Sequence, residues 1–189
     1  MTAFEMVALA VSFILGLGIT HLLSSSVLVF RGRRQYRIHW MPAIWVLCIF
    51  MLQIQFWWSI FGLSPFVKAW TLVRFGVLLI SALTLFLAGA LVLPGRRGEY
   101  GEDLLSYFTA DGRWGLAALG AYHLECIVAN AMLFGSGPGQ LQSVPVWVGL
   151  VLVAGMLATK RRGAQFAMTI AFLVNVMIGV AVMSTPAYR

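Results

Sequence analysis

A chain of 189 residues that is 61% hydrophobic and only 10% charged lies far below the roughly 25% charge of a soluble domain. Its formal charge of +7 would suit nucleic acid, but a partner has to be argued from where charge sits, and here it sits beside apolar runs. Composition therefore excludes an ordinary soluble enzyme and predicts an all-α, polytopic membrane protein.

An apolar run of about 20 residues crosses the hydrocarbon core, and six such runs occur. The first covers about 4–30. Its start, "MTAFEMVALAVSFILGLG", lacks the basic region and cleavage site of a secretory signal, so it is expected to be a retained first helix. Ala8, Ser12, Gly16, Thr20 and Ser24 recur in it every four residues, the spacing that lets helix backbones approach closely in lipid. Arg31, Arg33, Arg34 and Arg37 follow.

The second run, 40–63, carries Cys48, Gln53, Gln55, Trp57 and Trp58. Pro65 and Lys68 mark a short turn. The third, 69–93, contains Arg74, placed to snorkel outward or to pair with Glu5. Next comes the one sizeable polar segment, 95–113, where Arg96, Arg97, Glu99, Glu102 and Asp103 precede Leu104, Leu105, Tyr107 and Phe108. That order predicts a short helix lying in the cytoplasmic interface.

The fourth run, 114–134, holds His123, Glu125, Cys126 and Asn130, together with the small-residue row Ala117, Ala121 and Ala129 around Glu125. After the turn-rich "GSGPGQLQ" come the fifth run, 144–159, which is the shortest, and the sixth, 164–183. The sixth has a row of its own in Gly163, Ala167, Ala171, Asn175 and Gly179. The three rows predict close packing among the first, fourth and sixth helices. Trp40, Trp70, Trp114 and Trp147 fall at run ends, as interfacial belts favour.

Ten of the 13 Lys and Arg lie in the first, third and fifth connections, the last of these being Lys160, Arg161 and Arg162. Basic residues near span ends stay cytoplasmic, so both termini are expected outside. These loops also attract anionic lipid headgroups, which accounts for the charge without nucleic acid. A homo-oligomer or partners in a larger membrane complex are compatible with the small-residue rows.

Ionisable and amide groups at membrane depth are costly unless paired or wet. At 1.5 Å per residue, His21 lies roughly 15 Å from Arg31, His123 roughly 15 Å and Glu125 roughly 18 Å from Arg113, Asn175 roughly 20 Å from Arg162, and Gln53 and Gln55 roughly 20 Å from Trp40. All six fall near the midplane, so they are the candidate polar site. One reading is a hydrated cavity for ion or proton passage coupled to Glu125; another is a set of interhelical hydrogen bonds that fix packing.

His123 and Glu125 are two residues apart and point about 200° from each other on a helix, so they do not bind one metal from a single face. The H-x-E spelling lacks the C-x-x-C partner of zinc deaminases. No metal centre or catalytic residue is predicted, and nucleotide-binding and nucleophile-elbow motifs are absent. His21 and His123 lie at matching depth, so a haem b held between them is the cofactor alternative, within a structural or cofactor-holding (haem or quinone) subunit.

The segments "FEMVALAVSFILGLGITHLL" and "LQIQFWWSIFGL" resemble a group of bacterial polytopic membrane proteins that begin similarly and carry a Q-F-W-W run. The resemblance covers the first two helices and implies a bacterial inner-membrane setting, with no activity to carry over. Six helices also admit an inverted repeat, since "THLLSSSVLVF" and "YHLECIVANAMLF" both run from a His-Leu pair to a phenylalanine.

Overall fold

The computed structural model describes residues 2–34, 37–63, 67, 69–95, 103–135, 139–140 and 143–184, the side chains of 183 and 184 excepted. Pro65, Lys68, Arg96, Arg97, Glu99, Glu102 and most of "GSGPGQLQ" lie outside the described residues. The described chain is all-α: α1 (Ala3–Arg31), α2 (Trp40–Phe61), α3 (Leu72–Leu91), α4 (Leu104–Ala110), α5 (Arg113–Leu133), α6 (Val144–Ala158) and α7 (Arg162–Ser184).

Local chemistry explains where these helices begin and end. Thr2 and Glu5 form a reciprocal capping box at the start of α1, which satisfies two backbone N–H groups that have no helical acceptor. His39, Thr71 and Asp103 cap α2, α3 and α4 with side-chain acceptors, and Pro145 stands in the first turn of α6, where a missing N–H costs nothing. Gly135, just past α5, has φ 64°, a conformation that suits glycine at a helix end.

Five helices, α1, α2, α3, α5 and α7, are long and apolar enough to cross a membrane, so the chain has the character of a multi-pass membrane protein. α6 has 15 residues, about 22 Å of helix, shorter than a full hydrocarbon core. It is nevertheless packed between α5 and α7.

Packing runs from α1 to α3, α5, α6, α7, α2 and back to α1. α2 also touches α3, and it reaches α5 through Phe56, whose ring lies 6.0 Å from that of Tyr122. The interior is apolar and aromatic, centred on Trp45, stacked on Phe172 at 4.6 Å. At the end of the bundle that carries Arg31, Arg113 and Arg162, Arg113 Nη2 donates to Leu157 O at 3.2 Å, tying the start of α5 to the end of α6. α4 is docked there rather than floating. Leu104 and Phe108 are 2% and 1% exposed, and Leu104 N donates to Arg37 O.

The small-residue rows pack differently from the sequence expectation. None of α1, α5 and α7 packs extensively on another of the three. On α1, Gly16, Thr20 and Ser24 face outward, as do Gly163, Ala167 and Ala171 on α7. The buried side of α1 is instead Val7, Val11, Leu15, Gly18, Leu22, Ser25 and Val29. α5 approaches a neighbouring backbone closely at Gly115, where a Cβ would stand 2.8 Å from Val92 N, so its partner there is the C-terminal end of α3. Arg74 Nη1 donates to Ala69 O at 2.6 Å.

Candidate polar site within the bundle

Glu125 is half-buried on α5 and faces α3. Its Oε1 is 2.9 Å from the Thr84 hydroxyl, and that same hydroxyl is 2.9 Å from Ile80 O. A hydroxyl has one hydrogen to give, so it cannot donate to both. With Glu125 ionised, Thr84 gives its hydrogen to the carboxylate. With Glu125 protonated, the carboxyl donates to Thr84 Oγ1 and Thr84 keeps its bond to Ile80 O. The contact therefore holds the side chain in place in either protonation state. Glu125 Oε2 is buried and has no partner. Ser81, one turn from Thr84 and beside the carboxyl, is fully buried and donates to Val77 O at 3.0 Å.

A second polar group lies where α1, α2 and α3 meet. Gln53 is 0% exposed, and neither its Nε2 nor its Oε1 has a partner. Two glycines make the space for this amide. A Cβ on Gly18 would stand 2.9 Å from Nε2, and one on Gly89 would stand 3.3 Å from it. His21, one turn along α1 from Gly18, packs edge-on against Phe86 of α3 at 6.1 Å, and its buried Nδ1 is also unpartnered. Phe86 touches the Gly18 position as well, so His21 and Gln53 border the same corner of α3. Unpaired buried polar atoms are rare in folded proteins and mark functional positions or internal water.

The other predicted residues have partners of a different kind. Asn175 Nδ2 donates to Pro145 O at 2.9 Å, joining α7 to α6, and Gln55 Nε2 donates to Val176 O at 3.0 Å, joining α2 to α7. His123 is buried among Tyr122, Phe172 and Gly149. Its Nδ1 is 2.8 Å from Leu119 O, which makes Nδ1 the donor and leaves Nε2 pressed against Gly149. The six predicted residues thus do not form one cluster.

Haem between His21 and His123 does not fit this arrangement. His21 meets Phe86 of α3, while His123 meets Phe172 of α7 and Gly149 of α6. His123 Nδ1 is bonded to Leu119 O, and Nε2, which keeps the lone pair, lies against Gly149 of α6, so the packing leaves no open side from which an iron could reach it. Among the described residues, no group of three or more His, Cys, Asp or Glu converges on a point.

Thr84, Ser81, Gly18, Gly89 and Phe86 complete the site and were not among the residues expected from sequence. Serine and threonine within helices ordinarily bond the carbonyl one turn back, so nothing in their spelling distinguishes Ser81 or Thr84. No protein-family model matches the chain, and no curated protein or solved structure does so.

Proposed function

We propose that the chain is a six-span protein of a bacterial inner membrane, with both termini outside, that passes protons or a proton-coupled ion along the polar groups flanking α3. α6 counts as a span in this reading because it is wholly apolar and sits between two full-length spans. The orientation rests on the basic residues gathered at one end of the bundle. Glu125 is the group that takes up and releases the proton, and Gln53 and His21 supply further polar positions at similar depth.

The single observation that carries this reading is the shared hydroxyl of Thr84. It lies at hydrogen-bond distance from both the Glu125 carboxyl and Ile80 O, so it accommodates a charged and a neutral carboxyl without moving a helix. Ionisable groups within a membrane are typically found on proton and ion pathways. Purified protein reconstituted with a pH-sensitive dye inside the vesicles should dissipate an imposed pH gradient faster than empty liposomes. Equal rates would refute the proposal.

A second reading, a subunit of a larger membrane complex, draws on the outer face of α1. Nothing of the bundle lies within 4 Å of a Cβ built on Gly16, and Ser12, Gly16 and Thr20 line an open groove there. Stoichiometric partners that co-purify with wild type and are lost from Gly16→Leu would favour it.

A further inference from the structure

A cleft of about 300 Å³ opens at the end of the bundle that carries Arg31, Arg113 and Arg162, lined among others by His39, Trp40, Asp103, Ser106, Arg162 and Phe166. That volume is at the lower end of the range for small-ligand sites. Three elements converge on it: the cap of α2, the N-terminal half of α4 and the first turn of α7. A backbone bridge between Arg37 and Asp103, with Leu104 N donating to Arg37 O, holds α4 in place there.

Charge in the cleft is balanced but not joined. Arg162 and Asp103 both line it, yet they form no ion pair with each other, and neither has a side-chain ion partner among the described residues. Asp103 Oδ1 accepts from Leu105 N at 3.1 Å as the cap of α4, which fixes the carboxylate in position. His39 Nδ1 accepts from Met41 N at 3.2 Å, so the proton of the neutral ring sits on Nε2 and is available for donation. Ser106 adds a hydroxyl. The cleft therefore offers a guanidinium and neutral donors together with a separate carboxylate.

The aromatic wall says where the occupant comes from. Trp40 and Phe166 meet edge to face at 4.5 Å and are 37% and 50% exposed. Trp40 opens α2 and Phe166 lies near the start of α7, and at the ends of membrane-crossing helices aromatic side chains meet lipid headgroups. An occupant that carries one negative and one positive charge and is anchored in the bilayer matches all of these features.

We propose that this cleft binds the headgroup of a zwitterionic aminophospholipid, with the phosphate on Arg162, His39 and Ser106 and the primary ammonium on Asp103. Anionic lipids lacking the ammonium would leave Asp103 facing a phosphate. The site is independent of Glu125 and of the proton reading above.

The test is native mass spectrometry of the full chain in lipid-free detergent, titrated with phosphatidylethanolamine or phosphatidylglycerol. Retention of phosphatidylethanolamine should exceed that of phosphatidylglycerol about tenfold, the scale of one charge-assisted hydrogen bond. Arg162→Gln should lose both lipids. Asp103→Asn keeps the helix cap and should erase the preference while still binding lipid, which separates loss of recognition from loss of fold. Equal retention of the two lipids, or unchanged binding by Arg162→Gln, overturns the proposal. Soluble glycerophosphoethanolamine competing as well as the lipid would make this a soluble-ligand site and overturn the lipid assignment.

Discussion

The two sides of the bundle treat polar groups in opposite ways. Around α7, Trp45 Nε1 donates to Thr169 Oγ1 at 3.0 Å, Thr169 donates to Gln165 O, and Gln165 Nε2 donates to Thr159 O. Gln55 and Asn175 are bonded to carbonyls on neighbouring helices. Around α3, Gln53, His21 and Glu125 each keep at least one buried polar atom with no partner. An unsatisfied buried group costs about 1–3 kcal/mol. The α7 side is therefore built for rigidity, and the α3 side gives up stability at the positions where the proposed function resides.

Substitutions on the two sides should separate stability from activity. The largest effect is expected at Trp45, which is 0% exposed. Trp45→Ala removes the stacked core of the α7 side and should cost about 3–5 kcal/mol, read as a lowered midpoint in detergent denaturation. Thr169→Val is nearly the same shape but strands the Trp45 N–H, and about 1–3 kcal/mol should be lost. Gln53→Leu on the α3 side should do the reverse. It deletes an unpaired amide of similar volume, so stability should hold or rise by about 1 kcal/mol while vesicle flux falls. A large loss of stability in Gln53→Leu would erase the contrast.

Much of the fold was legible in the sequence. The ends of all six apolar helices fall within three residues of the runs read from composition, because apolar length and capping residues such as Thr2 and Thr71 are local properties. Helix faces were not legible. On α1 the row Gly16, Thr20 and Ser24 and the row Gly18, Leu22 and Ser25 have similar spacing and residue types, and in lipid apolarity does not say which row turns inward. Glu125 stood out because a carboxyl within a span is rare. Its partner did not stand out, since Thr84 also makes the ordinary helical bond to Ile80 O. The haem alternative between His21 and His123 does not fit because equal depth does not imply a shared face, and the two side chains meet different helices.

Smaller effects sharpen the contrast further. Thr84→Val leaves the helix intact, since the hydroxyl is not needed for the backbone ladder, but it removes the hydrogen-bond partner of Glu125 Oε1. Flux should drop with little change in the unfolding midpoint. Gln55→Leu on the α7 side removes one interhelical bond and should cost about 0.6 kcal/mol, with flux unchanged. Should Gln55→Leu abolish flux as strongly as Thr84→Val, the assignment of function to the α3 side would fail.

The most direct measurement is proton flux through wild type and Glu125→Gln, reconstituted at equal density, with unfolding midpoints recorded on the same preparations. Glutamine keeps the shape and the bond to Thr84 but cannot release a proton. The account predicts that flux falls to the level of empty liposomes while the midpoint stays within about 1 kcal/mol of wild type, the scale of a single hydrogen bond. Undiminished flux in a folded Glu125→Gln protein would contradict it.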